Sequence, residues 1–117
     1  MNQHADFQRA LSKTEEELFR EIGMELATHG VNALPPHPSE YSIDGRAFYD
    51  SKVPAFRELI CGNVVLMALC DKNDESAELL FELSSLIASA ILPVSPIPIA
   101  VIIFRRGIRH MCMQRTS

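Results

Sequence analysis

Residues 91–106 read ILPVSPIPIAVIIFRR. Pro93, Pro96 and Pro98 interrupt a stretch that carries no charge from Leu83 to Phe104, and Arg105 and Arg106 follow at once. Two structures compete for such a segment. One is a membrane span, because about 20 apolar residues cross a bilayer and FRRGIRH fits a cytoplasmic basic flank. The other is the corner between two helices packed in water. The prolines favour the corner. Each removes a helical hydrogen bond at a cost of about 3 kcal/mol, and hydrocarbon offers no water to the freed carbonyls. Leu92 to Pro98 is therefore read as a tight turn between two antiparallel arms of about 16 residues, roughly 24 Å each.

The arm before the turn supports this reading. Glu75, Glu78, Glu82, Ser85 and Ser89 are spaced 3-4-3-4 and form one narrow polar stripe on an otherwise apolar helix, 75–92. A bundle helix with one edge in water has this pattern. Asp74 or Ser76 supplies its N-cap, with Glu75 and Glu78 against the positive end of the dipole. After the turn, 97–113 is read as the last helix. Val101, Phe104, Ile108 and Met111 share one face, and Arg105 and Arg109 another.

Further out, Phe7, Leu11, Thr14, Leu18, Ile22 and Leu26 keep one apolar face over 4–28, which predicts an amphipathic helix. Lys13–Glu17 and Glu16–Arg20 are spaced for pairing. Ser12-Lys-Thr-Glu15 has the form of a capping box, and Gly30 suits a left-handed C-terminal cap. Residues 31–53 read as a connector. Pro35, Pro36 and Pro38 hold it extended. Asp44-Gly45, between Tyr41, Ile43 and Phe48, Tyr49, predicts a hairpin turn or an ordered loop built on one turn. A helix over 54–70 follows, with Pro54 in its first turn. It is so apolar around its girth that it belongs mid-bundle, although residues 64–69 also fit a buried strand. Asn63 is either a register-fixing buried amide or an edge residue beside Gly62. The predicted fold is a single, mostly α domain over 1–117. It is a small four-helix bundle-like unit with a short irregular or hairpin segment between helices 1 and 2.

The chain of 117 residues has a net charge of −4. Residues 1–82 carry −8 and residues 83–117 carry +4. The acidic balance argues against non-specific nucleic-acid binding, and no stacking aromatics accompany the arginines, so nucleic acid is not expected. Cys61, Cys70 and Cys112 each lie in an apolar run without a Cys-x-x-Cys pair. With a polar N-terminus that lacks a signal-peptide pattern, they are read as reduced buried thiols in a cytoplasmic protein.

No glycine-rich phosphate loop, nucleophile elbow or zinc-protease motif occurs. No metal ligand is assigned, because His4, His29 and His110 are scattered singly. No catalytic residue and no cofactor are expected. The one distinctive cluster is Arg105, Arg106 and Arg109, with His110 and Arg115 nearby. It suits an anionic partner or lipid headgroup, or it closes the molecule by docking on its own acidic first helix. The leading expectation is a non-catalytic accessory or regulatory protein that acts through contacts with a protein partner or a second copy. The alternative is a membrane-associated protein that inserts the 83–104 hairpin. A weaker one is a small enzyme using His37, Glu40, Tyr41, Asp44 and Arg46 in the connector.

Overall fold

The chain does break at the proline-rich stretch. A computed structural model describes residues 3–29, 38–71, 77–92 and 94–113. Helix α5, Ala77–Ile87, runs into a single 3-10 turn over Ala88–Ala90 and stops. Helix α6 then begins at Pro96 and ends at Arg106, and it packs against α5. Pro93 itself lies outside the described residues. So do Gly30, Pro35, Pro36, His37, the 72–76 capping segment with Glu75, and Arg115.

Helix α6 starts with Ser95 as its N-cap. The Ser95 hydroxyl accepts a hydrogen bond from the Ile97 amide at 3.4 Å. The Ser95 amide donates to both carboxylate oxygens of Glu25, each at 3.0 Å. Pro96 and Pro98 occupy the first turn, where a missing N–H breaks no bond. Everything from Pro98 to Ile103 is buried. That makes α6 the central element, with α1, α2 and α5 around it.

Among the described residues the architecture is all-helical. The expected first helix is two. Helix α1, Gln3–Leu11, ends in a turn where the Ser12 hydroxyl donates to the Arg9 carbonyl at 2.6 Å. Ser12 is thereby unavailable as a cap, and the capping box forms at Thr14 and Glu17 instead of Ser12 and Glu15. Helix α2 follows as Glu15–Thr28, with Leu18, Phe19, Ile22, Gly23 and Leu26 buried. Glu16 pairs with Arg20 at 3.6 Å, while Lys13 reaches Glu21 rather than Glu17.

The largest correction is helix α3, Pro38–Cys61, which replaces the predicted hairpin or loop over 38–53. Asp44-Gly45 is not a turn. Gly45 is buried mid-helix because α3 crosses α2 there in close backbone contact. A Cβ on Gly45 would sit 1.9 Å from the Phe19 carbonyl oxygen, and one on Gly23 would sit 1.9 Å from that of Tyr41. The pairings 19 with 45 and 23 with 41 make the two helices antiparallel. Pro54 falls inside α3, not in a first turn. It and Asp50, whose carbonyl it leaves without a helical donor, both face solvent, where water can replace the lost bond.

The expected helix over 54–70 is also divided. Gly62-Asn63 ends α3, and the chain turns by 88° into α4, Val64–Asp71. The Asn63 side chain accepts the Leu66 amide at 2.8 Å, so this amide is an N-cap and not a register device. The turn carries Val64, Val65 and Ala68 into solvent, which is why α6 and not this segment is central. The last predicted helix breaks at Gly107, whose φ of 99° stops α6 before α7, Ile108–Met113. Glycine adopts this left-handed backbone without steric cost.

The polar stripe of α5 faces outward: Glu78, Ser85 and Ser89 are exposed and Glu82 is half-buried. Ser84, one position off it, is 4% exposed, and its hydroxyl has no hydrogen-bond partner among the described residues. A buried hydroxyl without a partner is destabilising. Ser84→Ala is therefore expected to raise the unfolding free energy by about 1 kcal/mol in urea titrations. A loss of stability would show that the hydroxyl is satisfied.

Candidate functional site

The three predicted arginines end up in different places. Arg106 uses its guanidinium inside the molecule. Its Nε and NH2 groups donate to the two carboxylate oxygens of Glu15 at 2.9 and 2.8 Å. The guanidinium also lies 5.1 Å from the Tyr49 ring centre and 5.6 Å from that of Phe19. Arg46, on α3, covers the Phe19 ring at 4.5 Å. Arg105 donates to the carbonyls of Leu11 and Ala10, and so caps the negative end of α1. Arg109 is exposed and has an interaction of its own. The sequence brings Arg105 and Arg106 to these partners because α6 runs antiparallel to α2. Glu25 meets its start and Glu15 its end.

Charge follows the geometry. The hydrogen bond from Arg106 holds the Glu15 carboxyl below the usual carboxylate range, against a smaller opposing effect of burial. The same bond from Glu15 raises Arg106. Burial pushes the Tyr49 hydroxyl up, with Arg106 opposing. A carboxyl whose folded pKa is depressed stabilises the fold above its unfolded pKa, and that contribution fades as pH falls through the folded value. Arg106→Ala removes the bidentate pair and both ring contacts, an expected loss of about 2 kcal/mol. In urea unfolding from about pH 6 to about pH 3, this variant should lose less stability than the wild type. Parallel pH profiles would show that the pair is not energetically coupled to folding.

Beside this pair lies a cleft of about 130 Å³ between α3 and the α6–α7 junction. Tyr49, Asp50, Val53 and Arg57 line one side, and Arg106, Gly107, His110 and Met111 the other. Arg57 is half-buried, and its Nε is buried without a hydrogen-bond partner among the described residues. The sequence alone gave no reason to single it out, because Arg57 follows Phe56 in an ordinary helical pattern. A second cleft, between α1, α2 and the start of α6, holds groups already engaged: Lys13 with Glu21, and Glu25 with Ser95.

The cysteines correct the sequence reading. Cys61, at the end of α3, and Cys112, in α7, form a disulfide with Cα atoms 5.6 Å apart, and Cys70 stays outside it as a thiol. The pairing was hidden by a separation of 51 residues. It fastens α7 to α3 below the cleft.

The residues considered for catalysis lie along α3, with His37 outside the described residues. Glu40 is exposed, Tyr41 presents its backbone to Gly23, and Arg46 covers Phe19. Among the described residues no group of three or more His, Cys, Asp or Glu is placed to hold a metal ion. In the apolar 83–104 segment, Leu83, Ile87, Ile91, Val94 and Ile99 through Ile103 are buried in the protein's own core. No single helix among the described residues is long and apolar enough to cross a membrane. No protein-family model, curated protein or solved structure matches the chain.

Proposed function

We propose that this all-α protein is a non-catalytic accessory or regulatory module that acts by contact with another protein. The observation that carries this reading is the apolar surface at the disulfide end. Val64 is 82% exposed, Val65 57% and Met113 83%. Cys61 and Cys112 are joined, with Val64 three residues from one and Met113 next to the other, which brings the start of α4 and the end of α7 to the same end of α3. Apolar side chains gathered in this way mark contact sites more often than single exposed residues do. Many of the charged groups are engaged within the molecule, as with Arg106 and Glu15, Lys13 and Glu21, and Arg105 on the end of α1. The disulfide supports a place of action in oxidising surroundings, in preference to the cytoplasmic one expected from three thiols.

The test is a photo-crosslinking amino acid at position 65, with position 51 on exposed α3 as control, in cells that make the protein. An adduct from position 65 that disappears in the Val64→Asp background supports the reading. Its mass tells a second copy from a different protein. Equal yields from 65 and 51, or no adduct, would overturn it.

A further inference from the structure

We infer that the cleft between α3 and the α6–α7 junction is a binding notch for a single carboxylate, with Arg57 as the cation that receives it. Arg57 is the starting point. Its guanidinium forms no ion pair or hydrogen bond with any described residue, and its Nε is shut off from solvent. Nε is closed to a ligand as well as to water, so the terminal NH groups are the donors left for one. A half-buried guanidinium in that state has lost part of its hydration with nothing in exchange, and a carboxylate is the ligand that a pair of terminal N–H donors matches. The rest of the lining sets the charge and size of the ligand. Arg106, on the opposite wall, is already neutralised by Glu15. Asp50 shares the wall with Arg57 and disfavours a second negative charge. A guanidinium without a bonded partner, with the Asp50 carboxylate beside it in about 130 Å³, suits a monoanion and not a doubly charged phosphate. Val53 and Met111 border the cleft and provide apolar contact for the carbon chain behind the carboxylate. The disulfide at Cys112 holds the Met111 wall in place.

The carboxylate can come from a small free acid or from an acidic residue of a partner protein. The second source extends the contact reading above, and the two fail separately, because the crosslinking experiment does not involve Arg57. The test is an NMR titration of the oxidised full chain in chloride buffer. It follows the Arg57 Nε–H and Gly107 amide signals, with the exposed Arg9 Nε–H as control. The probes are acetate, inorganic phosphate and the blocked tripeptide acetyl-Leu-Glu-Leu-amide. Saturable shifts of Arg57 and Gly107 with acetate are expected, while Arg9 drifts linearly. Affinity about tenfold higher for the peptide points to a protein carboxylate, and parity to a small free acid. In Arg57→Gln the Gly107 response should weaken by at least about tenfold, and Arg57→Lys should keep part of it. Linear shifts at Arg57 that match those at Arg9, or stronger saturation by phosphate than by acetate, would overturn the inference. An unchanged Gly107 response in Arg57→Gln would overturn it as well.

Discussion

Gly45→Ala should lower the unfolding free energy by about 3 kcal/mol, and Gly23→Ala by a similar amount. In an exposed helix the same exchange is favourable by about 1 kcal/mol, because alanine is the better helix former. Here that gain is overridden. The new methyl would meet backbone, not a side chain that can swing aside: the Phe19 carbonyl oxygen at 1.9 Å for position 45, the Tyr41 carbonyl oxygen at 1.9 Å for position 23. Two helices would have to separate to admit it. That separation would loosen the Phe19–Tyr49 ring contact, whose centroids are 5.7 Å apart. Because one separation relieves both clashes, the double variant should cost less than the sum of the single ones. Gly62→Ala is the control, since its Cβ would meet nothing nearer than the Glu58 carbonyl oxygen at 4.0 Å. Urea denaturation of the three single variants and the double one checks this. Wild-type stability in Gly45→Ala would show that the crossing is wider than described.

The second large effect belongs to the disulfide. A link between residues 51 apart restricts the unfolded chain by an amount worth about 4 kcal/mol in the loop-closure account. Cys112→Ser, Cys61→Ser and the double variant should all lose roughly that amount, because each breaks the same bond. Dithiothreitol should lower the wild type to the level of the variants and leave the variants unchanged. Thiol titration of the unfolded, unreduced protein should find one reactive group, Cys70, and not three. Three reactive thiols, together with indifference to reductant, would remove the bond from the native structure.

These two features were the ones hidden from the sequence, and for related reasons. A hydrophobic period reports which face of a helix is buried, not what lies against it. The faces of α2 and α5 were legible, because Leu18, Ile22 and Leu26 repeat on one and Glu78, Ser85 and Ser89 on the other. The break in the proline-rich stretch was legible because a missing N–H is a local fact. Gly45 misled because the same absent Cβ that permits a turn also permits a close helix crossing, and only the partner helix decides between them. Cys61 and Cys112 looked like separate thiols for want of any local sign that α7 returns to the end of α3. The arginine cluster was visible as charge, but its partners, Glu15 and the carbonyls ending α1, lie about 90 residues earlier. Arg57 stood out only once its surroundings were known.

The start of α6 has a consequence for how the molecule assembles. A helix leaves its first four amides without partners in its own ladder, and in a dry interior each is a liability. In α6 two of the four do not exist, because Pro96 and Pro98 have no amide hydrogen. The Ile97 amide turns to the Ser95 hydroxyl, and the Ser95 amide is taken by Glu25. The half-buried start of the greasiest rod of the protein, beside the cleft between α1 and α2, thus has its amides answered by the protein itself, but only once the far end of α2 has arrived to receive that last hydrogen.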